Sequence, residues 1–241
     1  MAFPSHAAII TAAGSSERFQ TSPNHLRRKK EFILLDDRTV LYHAVEPFLS
    51  VPGLQAIFVT HPIGLHDETE VALDNLMFAS KIPIYLVEGG QSRQESVLKA
   101  LELLESSALQ VSYVAIHDGA RPWLTSSLII NTLATATVFG GAVPVLVVHD
   151  ALKRIDEHQC LSEHLERNNI VTVQTPQIFS YPKILEAHRH ALINTQKAYV
   201  DDTEIFSDYG GMVGTVEGVI ENRKITTPSD MEVTVVRHRE T

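Results

Sequence analysis

Five short apolar runs, set apart by stretches with helical spacing, constrain this chain more than any other feature. They lie at residues 7–11, 56–60, 82–87, 113–117 and 142–148. Each is rich in Val, Ile or Ala rather than alternating apolar with polar. That pattern suits strands buried on both faces, as in a parallel sheet. Between them, residues 39–49, 93–105 and 126–139 carry apolar side chains at helical spacing. Val51-Pro52-Gly53 follows the first as a stop signal, Val97, Leu98, Leu101 and Leu104 share one face of the second, and Gly140-Gly141 closes the third. The alternation predicts an α/β fold. In such folds ligands bind beyond the carboxyl ends of the strands, so the residues just after each run are the ones to read for chemistry.

Residues 148–173 break the rhythm. D-A-L-K-R-I-D-E-H-Q-C-L followed by H-L-E-R-N-N-I-V-T-V reads as a hairpin-like arm, and a protruding arm suggests a partner, most simply a second copy of the chain. The tail resumes with a helix at 181–193, a polar turn at 199–203, and strand-like segments at 212–217 and 223–226. A last helix opens at Pro228-Ser229-Asp230, with Thr227 as N-cap. With 241 residues, 44% of them hydrophobic, one domain over 1–241 is expected, the arm occupying about 148–173. A net charge of −9 argues against non-specific duplex binding. No apolar run approaches the roughly 18 residues of a membrane span, and the opening residues lack the basic and apolar regions of a signal peptide. The single cysteine, Cys160, leaves no intrachain disulfide or cysteine zinc cluster. A cytoplasmic protein with small-molecule ligands, and neither nucleic-acid nor membrane partners, is expected.

Five constellations follow the runs. Thr11-Ala12-Ala13-Gly14-Ser15-Ser16-Glu17-Arg18 is a small-residue loop whose backbone N–H groups can approach an anion ahead of a helix N-terminus. It is neither a G-x-G-x-x-G fingerprint nor a G-K-[ST] loop, and a plain tight turn is an equal reading. Arg27-Arg28-Lys29-Lys30 places four cations in an acidic protein: a solvated loop, or a polyphosphate site with Arg18 as a fork. Gly89-Gly90-Gln91-Ser92-Arg93-Gln94-Glu95-Ser96 is a second glycine loop, or a turn with a helix N-cap. In His117-Asp118-Gly119-Ala120-Arg121-Pro122, Asp118 suits Mg²⁺ or a ribose, with Arg121 as a structural ion-pair partner. The clustered carboxylates of Asp201-Asp202-Thr203-Glu204 and Glu221-Asn222-Arg223-Lys224-Ile225-Thr226 could bind a metal or substrate hydroxyls, although D-D-T-E by itself reads as an acidic helix start. The 12 histidines show no zinc spacing.

Taken in order, these strings resemble the 2-C-methyl-D-erythritol 4-phosphate cytidylyltransferases. The resemblance runs through A-A-G-S-S-E-R-F, K-K-E-F, G-G-Q-S-R-Q-E-S-V, H-D-G-A-R-P, E-R-N, Q-T-P-Q-I-F, D-D-T-E, V-E-G and E-N-R-K-I-T-T-P-S-D, over residues 7–231. It implies a Rossmann-like three-layer fold with a mostly parallel central sheet flanked by helices, plus a protruding β-arm for dimerisation. It also implies a nucleotidyltransferase that joins CTP to methylerythritol phosphate with release of pyrophosphate, in non-mevalonate isoprenoid synthesis. Arg18, Lys30 and Lys224 would be catalytic. Ala12, Ala13, Gly14, Gly90, Gln91, Ser96 and Asp118 would surround CTP, Asp118 also holding Mg²⁺. Arg167, Thr175, Asp202 and Glu221 would take the polyol phosphate, the arm completing the neighbouring subunit's site in a homodimer.

The chain departs from the family's usual pattern in three places. Lys29 stands where Pro is common, leaving Lys29 and Lys30 both candidates for the triphosphate. Ala151 stands where a Thr would touch the polyol phosphate, and Ser16 where Gly is frequent. Ala151 keeps ribitol phosphate or another polyol phosphate in play as acceptor, and a non-catalytic nucleotide-binding module is a further alternative. The missing fingerprint counts against a dinucleotide-dependent oxidoreductase.

Overall fold

A computed structural model describes residues 3–14, 19, 29–193 and 197–231. In chain order its elements are β1 (His6–Thr11), the paired short strands β2 (Leu34–Leu35) and β3 (Arg38–Thr39), helix α1 (Val40–Val45), β4 (Leu54–His61), α2 (His66–Ala79), β5 (Ile84–Glu88), α3 (Arg93–Ser106), β6 (Tyr113–Asp118), α4 (Ser126–Phe139) and β7 (Gly140–Val147). There follow β8 (Leu152–Ile155), β9 (Leu161–Leu165), β10 (Val171–Val173), β11 (Gln177–Ser180), α5 (Tyr181–Ile193), α6 (Asp202–Asp208) and β12 (Met212–Glu217).

Among the described residues, one sheet runs β5-β4-β1-β6-β11-β7. Val145 of β7 faces Val173 on one side and Glu217 on the other, so β10 and β12 flank β7. The β1, β4, β5 and β6 pairings are parallel, as is β7 with β12; β10 and β11 run against their neighbours. The sheet is mostly parallel, as expected. Side-chain alternation sends Ala8, Ile10 and Ala115 into one core with α1, α2 and α4, and Ala7, Ile9 and Val114 into another with α3, α5 and α6. This two-sided burial is why the strands read as continuous apolar runs.

Local chemistry sets the boundaries. Thr39, Ser92, Thr125 and Asp201 each cap a helix by accepting a backbone N–H three residues on. The helix expected over 39–49 is α-helical only to Val45, and a 3₁₀ turn containing Pro47 follows. β5 starts at Ile84 rather than residue 82, because Pro83 has no N–H for the ladder, although its carbonyl accepts from Ile57. Segment 223–226 is not a strand; Ile225 N–H donates to the Ala120 carbonyl instead. Beyond it, Asp230 accepts from the N–H groups of Thr226 and Thr227, so the aspartate rather than Thr227 supplies the side-chain bonds. The arm is a hairpin of β8 and β9, closed at Asp156–Cys160, and β10 returns to the main sheet.

Candidate active site

Register places the site. Thr11 at the end of β1 pairs with Thr60 on β4 and with Asp118 on β6, so three parallel strands end in one row. From β1 the sheet extends through β4 and β5 one way and through β6 the other, the geometry in which a crevice opens at the carboxyl edge. A cleft of about 750 Å³ lies there. Its walls come from Thr11, Ala13 and Gly14, from residues 29–31, from 90–93 with Ser96, and from Asp118, Ala120, Lys224 and Thr226.

The two small-residue loops pack against each other. A Cβ on Gly89 would stand 2.3 Å from the Ala13 Cβ and 2.9 Å from Ser96 Oγ, so only glycine allows this approach. Among the described residues Gly14 has nothing within 4 Å of such a Cβ. Ser96 Oγ accepts from Gly90 N–H (3.0 Å) and donates to the Ser92 carbonyl (2.8 Å). Glu95 accepts from Gln91 N–H (2.8 Å), while Ser92 caps α3. Turn, N-cap and cleft wall are therefore one structure.

Charge converges on Asp118. Lys224 Nζ and Arg121 Nε reach its Oδ2 at 3.1 and 3.2 Å, and Arg93 Nε lies 3.7 Å from Oδ1. Burial alone would raise this carboxyl; the cations of Lys224, Arg93 and Arg121 outweigh it and hold the group well below the usual range. Next to it, burial pushes the His117 imidazole down to about 4. His117 Nε2 donates to the Arg121 carbonyl, which leaves Nδ1 to accept from the Thr175 hydroxyl (2.9 Å); that oxygen in turn accepts from Asp118 N–H. Next to Lys224, the Ile225 carbonyl accepts from Lys30 Nζ at 2.8 Å, and the Gly14 carbonyl accepts from Lys29 Nζ. Burial draws Lys29 below the usual lysine range.

Of the site residues expected from the sequence, Lys30, Lys224, Ala13, Gly14, Gly90, Gln91, Ser96 and Asp118 line this one cleft. Ala12 lies just beneath it, its N–H bonded to Thr60. Arg18 lies outside the described residues. The four residues expected to hold the polyol phosphate do not line it. Thr175 and Asp202 are buried behind the wall, Glu221 is exposed beside it, and Arg167 sits between β9 and β10 with its guanidinium on the His149 carbonyl. Arg93 is the cleft cation absent from the expected set. Its signal was available, since it is the one cation in the second glycine loop and opens a helix. Pro62 and Ile63, after β4, carried no comparable mark.

Asp118 can serve a Mg²⁺ ion only in part. Its Oδ2 is taken by two cations, while Oδ1 has only the 3.7 Å contact with Arg93. One carboxylate oxygen suits Mg²⁺ when substrate phosphates and waters complete the shell. Among the described residues the one cluster with three potential ligands, His66, Asp67 and Glu70, is exposed on α2, away from the cleft.

Comparison with known proteins decides the family. The family model for 2-C-methyl-D-erythritol 4-phosphate cytidylyltransferase (IspD) matches residues 6–236. The chain belongs to this family. A cytidylyltransferase of that name from Bacillus cereus is 33% identical over 227 residues, 92% of this chain and 93% of the relative. A bifunctional IspD/IspF enzyme from Bartonella henselae is 34% identical over 225 residues, and the chain spans about half of that relative's length (54%). The solved IspD of Thermus thermophilus superposes with a TM-score of 0.75 at 29% identity, over 98% of this chain and 99% of that one. The structure from Anaerococcus prevotii, at 23% identity and a TM-score of 0.80, matches in fold over 98% and 96%. This IspD-family chain thus carries a cytidylyltransferase fold with the α/β architecture read from its apolar runs.

Proposed function

We propose that the cleft joins CTP to 2-C-methyl-D-erythritol 4-phosphate and releases pyrophosphate, with the expected site residues in the following roles. The carrying observation is the row of strand ends at Thr60, Thr11 and Asp118, framed by two small-residue loops and by Lys29, Lys30, Arg93 and Lys224. The backbone of residues 12–14 and 90–91, with Ser96, holds cytosine and ribose. A pocket of fixed donors and acceptors rejects uracil, whose carbonyl replaces the cytosine amino group and leaves protein groups unpaired. Lys30, Arg18 and Lys29 take the triphosphate.

A phosphate monoester is already largely dianionic near pH 7. It attacks the α-phosphorus in line with departing pyrophosphate and needs no general base. What remains is to bring polyanions together and neutralise the charge that builds on the α-phosphate and leaving group. Lys224, paired with Asp118, and Arg93 beside it meet that charge. Mg²⁺ would be held by Asp118 with phosphate oxygens and would supply further charge neutralisation.

The β8–β9 arm, with Arg167 at its base, completes the acceptor side of a second copy's site in a homodimer. The position of Arg167 outside its own chain's cleft supports this. We place the protein in the cytoplasm, with small-molecule substrates and neither nucleic-acid nor membrane partners. Its charge of −9 disfavours a nucleic-acid partner, and no helix among the described residues is long and apolar enough to cross a membrane. Ala151, at the base of the arm without a hydroxyl, favours one second reading, ribitol phosphate as acceptor. A competition assay with both acceptors at equal concentration tests the choice. The main reading expects the methylerythritol product to dominate; dominance of the ribitol product would move the substrate assignment.

A further inference from the structure

Asp202 is fully buried and yet ionised in character. Burial alone would raise its carboxyl, but Arg93 and His188 hold it down near about 2. Its Oδ2 lies 2.7 Å from Arg93 Nη2 and its Oδ1 3.1 Å from His188 Nε2. Because a carboxylate only accepts, His188 donates from Nε2, and among the described residues its buried Nδ1 and the Asp202 Oδ2 have no hydrogen-bond partner. The backbone around Asp202 is fixed as well. Gln177 Oε1 accepts from the N–H groups of Asp202 and Thr203, and Gln177 Nε2 donates to Asp201, the cap of α6. A fully buried carboxylate with one oxygen, and the histidine behind it, short of a hydrogen bond is a poor way to stabilise a core, since apolar residues of similar volume often do as well or better. Its other end explains it. Arg93 opens α3, lines the cleft, forms an ion pair with Asp202 through Nη2 and faces Asp118 through Nε, so the Nη1 edge is the part of its guanidinium not turned to either carboxylate.

We propose that Asp202, backed by His188, is a positioning residue that fixes Arg93 so that the Nη1 edge of its guanidinium binds a substrate phosphate. The inference rests on the cytidylyltransferase reading and assigns Asp202 a role through arginine rather than contact with the polyol phosphate. A guanidinium held from behind in one rotamer presents its free edge without paying side-chain entropy at each turnover.

Steady-state kinetics of the full chain, alongside thermal melts, test it. Arg93→Gln should lower kcat/KM roughly 10²-fold or more, and Asp202→Asn roughly tenfold to 10²-fold. In the Arg93→Gln background Asp202→Asn should cost less than about threefold further, because its effect passes through the arginine. His188→Gln, which keeps a donor toward Asp202, should retain activity within about threefold, whereas His188→Leu should lose about tenfold. Melting temperatures alone do not separate the cases; the non-additivity and the glutamine rescue do. Additive losses for Arg93→Gln and Asp202→Asn would overturn the inference in favour of direct contact by Asp202. So would His188 variants that change only the melting temperature, which also serve if Asp202→Asn does not fold. A wild-type protein inert toward CTP with either acceptor would instead sink the underlying functional reading.

Discussion

Lys224 is partly exposed and pairs with Asp118, so its removal should spare the fold and strike the chemistry. We expect Lys224→Ala to lower kcat/KM by about 10²–10³-fold with the melting temperature within a few degrees of wild type; near-full turnover would remove Lys224 from the mechanism. His6 carries a different prediction. Its Nδ1 donates to the Pro4 carbonyl, its Nε2 is buried without a partner, and burial lowers its pKa. Below about pH 6.5 the unfolded chain takes up a proton that the folded chain refuses. Stability is thus fully present above that pH and declines as pH falls below it. Urea titrations at pH 7 and pH 5.5 should show a smaller loss for His6→Leu than for wild type; equal losses would show that His6 does not contribute. At this scale the sequence revealed which residues were chemical but not which way they faced. Thr175 and Asp202 have the polar character of ligand contacts, and only the packing shows them behind the wall, one serving Asp118 and the other Arg93. Arg93 was visible within its motif, though nothing in the motif says that a buried carboxylate braces it.

Elements were legible in proportion to how completely they are buried on both sides. The strands of the parallel part read correctly within one or two residues because each contributes alternate side chains to two cores. Helix α2 escaped notice for the opposite reason. Val71 and Phe78 are exposed while Ala72, Leu73 and Leu76 are buried, so its apolar residues mark no single face. The loops after β1 and β5 were readable as small-residue loops, but their mutual contact was not. That contact gives a paired prediction. Gly89→Ala forces a Cβ against Ala13 and should destabilise the protein by about 1–3 kcal/mol, with weaker CTP binding. Gly14→Ala meets no atom of the described residues within 4 Å, so it should leave stability nearly unchanged while still lowering CTP affinity. Melting curves and calorimetric CTP titrations distinguish the two; unchanged affinity in Gly14→Ala would mean that the nucleotide does not occupy that space.

For the molecule as a whole, an eight-stranded sheet among the described residues positions the cleft, and the β8–β9 hairpin contributes nothing to its lining. The sequence announced the hairpin by a break in rhythm; under the proposed function its use depends on a second chain. Replacing residues 152–165 with a short turn should leave CTP binding intact, abolish turnover and convert a dimer to a species near 26.7 kDa in sedimentation; a turnover-competent monomer would exclude the arm from the site. The most direct measurement of the central claim is phosphorus NMR of the wild-type protein with CTP, Mg²⁺ and 2-C-methyl-D-erythritol 4-phosphate. The cleft predicts a new diphosphate diester and free pyrophosphate appearing in equal amounts. CTP that binds and remains unchanged, or that is hydrolysed to CMP without a diester, would contradict it.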